Sequence, residues 1–441
     1  MARPRTRIPL NVFLNARLVG QLRRQSSGAI DFRYGPQWLS WDNAFPISLS
    51  LPMREDRYVG DPVIAVFDNL LPDSDAVRRR LSERVGADGS DAYSLLTKVG
   101  RDCVGALQLL PEGVEPQPAG TVKGRPVSDD YIARKLGDLN AAPLGVSENE
   151  EFRISLAGVQ EKTAFLFWKK KWHVPHGSTA TTHIIKPEIG KLPSGIDLTR
   201  SVENEYLCLK LTDAFGLPTT KAAIEDFQGK RVLVVERFDR RWTADKRLLR
   251  LPQEDCCQSL SVPPSRKYES EGGPGIVSIL GLLKGSDDPE ADRRLFLKAQ
   301  IMFWLLGAID GHAKNFSVFL LPAGRFRLTP LYDVMSVQPA LDAGQLQRKQ
   351  MKMALAVGQN RHYVVTEIMP RHFEQTAAKS GIPASVLTSI FDEILESEQA
   401  AVNKVLNELP AVIPEKLTES IMGGLRSRLR LVERTGASGT P

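Results

Sequence analysis

Asp310, Asn315 and Asp333 are the side chains whose types and spacing best suit a defined chemistry. The first two sit in Ile309-Asp310-Gly311-His312-Ala313-Lys314-Asn315, just after a long apolar segment, and Asp333 follows in Leu331-Tyr332-Asp333, beyond a short strand pair. An Asp, a gap of four residues, an Asn and a later Asp form the acidic layout of a phosphotransfer loop. There one carboxylate orients or deprotonates an attacking hydroxyl, while an amide oxygen and a second carboxylate hold Mg²⁺ against phosphates. The plainer alternative is a polar loop whose Asp and Asn cap turns.

Three further stretches gain meaning from their order. Thr182-His183-Ile184-Ile185-Lys186-Pro187 reads as a strand ending in a lysine. Such a lysine can neutralise nucleotide phosphates when a helix glutamate holds it, and Glu205 is the best candidate for that glutamate. It can also be an edge gatekeeper. Arg153 to Lys162 is a polar turn between strands with one glycine, and it has neither a Walker nor a Gly-x-Gly-x-x-Gly pattern. Ser155, beside that turn, is a hydroxyl that could receive a phosphoryl group, which would change the loop's preference. Val234-Val235-Glu236-Arg237-Phe238-Asp239-Arg240 lies between a β-rich and a helical half. Adenine would be read there by backbone groups and an aromatic side chain, although Phe238 serves equally well as core.

The elements that must position these residues follow from periodicity. Strands are expected at 11–14, 18–22, 29–34, 47–51 and 106–110, with helices at 62–67, 74–85 and 91–99. A Pro-, Gly- and Glu-rich stretch from Pro111 to Pro126 reads as a linker or long loop. Strands are then expected at 154–156, 163–168, 172–174 and 182–185, a helix at 201–215 ended by Gly216, and a hairpin joining 222–227 to 231–236. After Trp242 long helical periodicities dominate, at 291–309, 366–380, 383–409 and 415–432. A β lobe with loop and lysine, a hinge, and a helical lobe with Asp, Asn and Asp is the chain order of a bilobal kinase.

Composition sets outer limits. The 441 residues are 42% hydrophobic and 25% charged, as in an ordinary globular protein of two or three domains. A net charge of +6 permits contact with nucleic acid without demanding it. Arg78 to Arg80, Lys169 to Lys171 and Arg426 to Arg430 are the basic clusters, with solvated faces as their simplest reading. Cys103, Cys208, Cys256 and Cys257 have no CxxC spacing and read as reduced thiols. No zinc spacing or nucleophile elbow is present, and no apolar run is long enough to span a bilayer, so a soluble cytoplasmic protein is expected.

With these residues in hand, the chain resembles the HipA family of bacterial toxin kinases from about Asn11 to Arg434. The resemblance rests on Phe67-Asp68-Asn69-Leu70-Leu71-Pro72-Asp73-Ser74, Gly100-Arg101-Asp102, Ile154-Ser155 with Gly158 to Lys162, His183 to Lys186, Val235 to Arg240, Leu251 to Asp255, Lys267-Tyr268-Glu269-Ser270 and Asp310 to Asn315. It implies an α+β, bilobal protein-kinase-like (HipA-like) fold, with a mixed α/β N-terminal part and an all-α C-terminal lobe. The expected division is an N-terminal α/β subdomain at 1–115, a nucleotide-binding small lobe at 145–238 and a helical lobe at 239–436.

The resemblance further implies a serine/threonine kinase that uses ATP and Mg²⁺ and acts as a growth-arresting toxin. Its partners would be a HipB-like helix-turn-helix antitoxin, operator DNA reached through that antitoxin, and a translation component, notably glutamyl-tRNA synthetase, as substrate. By motif, Asp310 is the implied catalytic base, Asn315 and Asp333 the Mg²⁺ ligands, and Lys186 the phosphate-binding lysine. Glu236 and Phe238 resemble the hinge positions that receive adenine. Ser155 resembles the family's autophosphorylated serine, with Leu156, Ala157, Gly158, Val159, Gln160, Glu161 and Lys162 as the nucleotide loop. His312 and Lys314 fall near the γ-phosphate. Leu156 and Val159 replace other small or apolar residues of the family's loop, and no Gly follows Asp333. A small-molecule kinase of the same fold and a silent co-repressor subunit are the competing readings.

Overall fold

The computed structural model describes residues 8–139, 143–145, 155–158 and 160–437. The chain divides into two compact units, and segments distant in sequence alternate between them. The first holds Met1–Pro187, Glu225–Ser265 and Ser317–Phe326, and the second Glu188–Ile224, Arg266–Phe316 and Arg327–Pro441. The expected boundaries near 115 and 145 fall inside the first unit. The Pro- and Gly-rich stretch after Pro111 is one reason: its strand Gly124–Pro126 pairs antiparallel with Lys171–Pro175.

The first unit carries two main sheets. The N-terminal one has the order Tyr58–Val59, Ile30–Tyr34, Arg17–Arg24, Leu10–Leu14, Leu107–Pro111, with every pairing antiparallel. The stretch 47–51, expected as a strand, is a turn. Pro46 and Pro52 flank it, and its N–H groups go to the Tyr34 hydroxyl (from Ile47), the Glu254 carboxylate (from Leu49) and the Ser48 carbonyl (from Leu51) rather than to a ladder. Helices Asp75–Val85 and Ala92–Val99 start where Ser74 and Asp91 accept the first free N–H groups.

The second sheet runs Ala222–Phe227, Lys230–Glu236, His183–Pro187, Thr163–Trp168, Lys171–Pro175, Gly124–Pro126. Two of its hairpins turn through left-handed pairs, Lys169-Lys170 and Gln228-Gly229, which match the strand twist. On one face, helix Asp129–Gly137 seats Ile132 and Leu136 against Phe165, Ile185, Val232 and Val234. Each fully buried aliphatic there contributes about 1.5–3 kcal/mol. Alternation along His183–Pro187 therefore sends Lys186 to the opposite face, in register with Leu233.

The second unit is mainly helical, with a two-stranded ribbon, Lys352–Val357 and His362–Val364, and a shorter strand pair, Gly190–Lys191 and Asp197–Leu198. Helix Pro289–Leu306 is its axis and is packed by Ser201–Ala214, Ile276–Leu282, Ala384–Glu408 and Glu415–Ala437. Asp288 caps its start and Gly307, left-handed at φ 67°, ends it three residues before Asp310. Its C-terminal half, including Phe303 and Trp304, is buried all round. Two buried cations close helix C-termini in this unit. The Arg428 Nε donates to the Leu305 carbonyl at 2.8 Å, and the Lys298 ammonium donates to the Phe215 carbonyl while pairing with Glu393 at 2.6 Å. Among the described residues no helix is long and apolar enough to cross a membrane, and all four cysteines are free and buried.

Candidate active site

In the second unit, the turn after Gly307 delivers Asp310 with its backbone fixed and its side chain open. The Asp310 carbonyl accepts from Asn315 Nδ2 and from the His312 amide, both at 2.8 Å, while its carboxylate is 62% exposed. Donation through Nδ2 assigns the other amide atom of buried Asn315, Oδ1, as the one available to a cation. His312 and Lys314 are buried in the same turn, and the Lys314 carbonyl accepts from the Tyr332 hydroxyl at 2.8 Å. Gly311 is required by close approach: a Cβ there would stand 2.3 Å from the ring of Phe303, in the preceding helix.

Asp333 is held by its neighbours. Leu331 bridges Thr219 in parallel, with its N–H on the Pro218 carbonyl and its carbonyl on the Thr220 N–H, and Ser336 exchanges hydrogen bonds with Asn204. Between these ties Asp333 takes a left-handed backbone, φ 55°, which costs a non-glycine residue about 1 kcal/mol and is tolerated best by Asp and Asn. An amide and a carboxylate suit a hard cation that completes its shell with water and phosphate oxygens, so the donor types fit Mg²⁺. Among the described residues no group of three His, Cys, Asp or Glu side chains forms a metal cluster.

The first unit holds the other candidates. Lys186 is buried at 4% exposure near the end of its strand, Glu236 is exposed at the end of the neighbouring strand, and Phe238 packs edge-on against Phe319 at 5.8 Å. Cross-strand from Glu236, His183 has a depressed pKa because burial disfavours its charged form, which Glu236 only partly offsets. Glu205 is buried on helix Ser201–Ala214 of the second unit.

The loop from Ser155 is tied down at nearly every described residue. The Ser155 side chain is fully buried, its hydroxyl donates to the Leu70 carbonyl at 2.5 Å, and its N–H to the Asp102 carbonyl at 3.0 Å. Gly158, at φ 102°, bridges Pro72, and its carbonyl accepts from the Asp73 N–H. Lys162 donates to the Ala157 carbonyl and Gln160 to the Pro187 carbonyl, while Glu161 pairs with Arg80 at 3.1 Å. Burial raises the Glu161 carboxyl, against the pull of Arg80. Val159 lies outside the described residues, as does Ile154. Arg78, expected on a solvated face, instead ties Asp68 and the Pro72 carbonyl beneath this loop.

Two features escaped the reading of the sequence. The first is a buried ion cluster: Arg240 and Arg250 reach Asp102 at 2.9 and 3.0 Å, and Arg237 reaches Asp239 at 2.7 Å. Burial opposes ionisation of Asp102, but Arg240, Arg250 and Arg237 more than offset it and hold its carboxyl well below the usual range. The cluster draws on the Gly100-Arg101-Asp102 and Val235-to-Arg240 motifs, whose unpaired-looking charges were its only signal. The second is the contact made by Tyr268 of the Lys267-to-Ser270 block, whose hydroxyl donates to Asp310 Oδ1 and whose ring meets His312 edge-on at 5.0 Å.

Comparison with known proteins assigns the class. Residues 10–110 match the HipA N-terminal domain and residues 154–402 the HipA-like C-terminal domain. The chain belongs to the HipA family. It is 34% identical over 403 residues to Y4mE of Sinorhizobium fredii, whose name assigns it provisionally to the kinases; the match covers 90% of this chain and 92% of that protein. It is 25% identical over 417 residues to the serine/threonine-protein kinase toxin HipA of Shewanella oneidensis, covering 91% and 90%. A solved complex of Shewanella oneidensis HipA with HipB and operator DNA shares its fold, with a TM-score of 0.80 at 24% identity over 96% of this chain and 97% of that one. The mixed α/β architecture expected from the resemblance is therefore the one found, and kinase relatives imply ATP as phosphoryl donor.

Proposed function

We propose that this chain is a Mg·ATP-dependent serine/threonine protein kinase acting as the toxin of a toxin–antitoxin pair. The observation that carries the reading is the Asp310–Asn315 loop, which pins a carboxylate by its backbone and leaves the acid itself largely exposed. Asp310 accepts the proton of the attacking hydroxyl, a role typically worth 10²–10⁴-fold. Asn315 and Asp333 would hold Mg²⁺, which would supply positive charge to the phosphates. Lys186 adds a fixed cation, Glu236 and Phe238 receive adenine, Ala157 to Lys162 cover the phosphates, and His312 and Lys314 act near the transferred group. Residues 145–238 form the nucleotide-binding piece and 239–436 the catalytic one.

Ser155 is the switch. Its hydroxyl sits in a site with no room in charge terms for a phosphate, because a dianion would face the Leu70 carbonyl inside the protein. Once phosphorylated it cannot return, and the loop stays out. A HipB-like helix-turn-helix antitoxin neutralises the toxin and brings it to operator DNA, a partnership supported by the Shewanella complex. The substrate is a cytoplasmic translation component, with glutamyl-tRNA synthetase first in line.

Incubating wild type and Asp310→Asn with ATP, Mg²⁺ and a cell extract, followed by phosphopeptide mass spectrometry, tests this. Label on Ser155 and on one dominant extract protein, with wild type alone, is the expected result. ATP consumption without protein label would transfer the case to a small-molecule kinase.

A further inference from the structure

We propose that Tyr268 is a positioning residue for the Asp310 carboxylate; the inference rests on the reading of Asp310 as the base. Asp310 stands on a turn with its side chain mostly in solvent, where an aspartate is free to sample its staggered rotamers. Among the described residues the Tyr268 hydroxyl is the one hydrogen-bond donor to that carboxylate, and it takes Oδ1. His312 Nε2, at 4.0 Å from the same oxygen, is too far to do this work. With Oδ1 occupied, Oδ2 is the oxygen left to receive a proton from an acceptor hydroxyl. A base oriented by a third group is the arrangement nucleophilic catalysis repeatedly uses.

Tyr268 can orient because it is itself fixed to the catalytic turn. Its ring lies edge-on to His312, 85° between planes, and the preceding residue, Lys267, receives the Ala313 N–H on its carbonyl at 3.4 Å. The Tyr268 carbonyl accepts from the Glu271 and Gly273 N–H groups, closing a tight turn behind it. The following residue, Glu269, is bound to the Ala356 amide at 2.6 Å on the two-stranded ribbon. The phenol therefore reaches Asp310 from a frame that shares backbone hydrogen bonds with the loop it serves.

Tyr268→Phe keeps the ring and the His312 contact and removes only the donor. Total transfer of labelled γ-phosphate from Mg·ATP to the chain itself and to a cell extract is measured for wild type, Tyr268→Phe, Asp310→Asn and the double variant. Tyr268→Phe is expected to lower kcat by about ten- to a hundredfold, the scale of a slightly misplaced catalytic group. KM for ATP stays within about twofold and the melting midpoint is unchanged, a split that a structural defect would not produce. In the Asp310→Asn background the tyrosine substitution has no further effect, because the two act as one unit. Tyr268→Phe equal to wild type while Asp310→Asn is dead overturns the positioning role alone. A rise in transfer also overturns it, since the phenol would then be blocking the acceptor's place. Transfer retained by Asp310→Asn, or absent from wild type, sinks the underlying reading of the site instead.

Discussion

Ser155 shows how much one hydroxyl can decide. It is buried to the last atom and bonded to a main-chain carbonyl, so alanine in its place removes a donor and leaves the Leu70 carbonyl one partner short, a cost of about 1–3 kcal/mol. Asp brings a charge into the same space. Ser155→Ala is expected to keep transfer to a partner substrate, and Ser155→Asp to weaken ATP binding at least tenfold by holding the loop away. Titration with a fluorescent ATP analogue checks both, and equal affinities for wild type and Ser155→Asp would remove Ser155 from the switch. The sequence marked Ser155, Asp310, Asn315 and Asp333 by type and spacing. It brought out Tyr268 only as part of the Lys267-to-Ser270 block and gave it no partner, because a tyrosine 42 residues before the aspartate it touches leaves no periodic trace.

At the scale of elements, helix Pro289–Leu306 and the loop that follows behave as one part. The helix stops at left-handed Gly307, and Gly311 lets the loop lie against Phe303. Gly311→Ala places a methyl group where the ring already is, overpacking that costs typically about 1–3 kcal/mol. The variant is expected to melt a few degrees lower and to lose transfer out of proportion to that drop, since relief requires shifting Asp310. Unchanged kinetics would show that the Phe303 ring yields instead.

Elements with strong periodicity were legible: Thr163–Trp168 matches its expected span, and Ser201–Ala214 and Ala384–Glu408 fall within a residue of theirs. The segment 47–51 misled because its alternating apolar residues serve a turn whose amides are met by Tyr34 and Glu254, partners distant in sequence. Buried Arg78 likewise read as surface, since charge alone does not reveal whether a counter-charge waits in the fold, whereas the basic turn Lys169-Lys170 is exposed as expected.

Across the whole molecule, buried charges of opposite tendency shape its response to pH. The Arg cluster holds the folded-state pKa values of Asp102 and Asp239 down. Their contribution is therefore present above the ordinary carboxylate range and is lost as pH falls below about 4. Glu254 runs the other way. Burial, only partly offset by the Leu49 amide, raises its pKa to about 7, so its contribution is present at low pH and is lost as pH rises from the carboxylate range through about 7. Glu254→Gln keeps an acceptor for the Leu49 amide and removes the titration. The variant is expected to match wild type near pH 4.5 and to exceed it at pH 8 by on the order of 3 kcal/mol. Thermal melts across that range check this, and parallel curves would mean that Glu254 is ionised in the folded protein.

The acceptors that hold Ser155 are the carbonyls of Leu70 and Asp102, inside the segment that matches the HipA N-terminal domain, while Ser155 itself opens the segment matching the C-terminal one. Any amino acid supplies a carbonyl. Divergence can therefore rewrite the side chains of the 68–74 stretch and leave the latch intact, whereas gaining or losing a single residue there would move the oxygen out of reach. Grafts of one relative's amino-terminal part onto another's remainder should succeed or fail by loop length rather than by percentage identity.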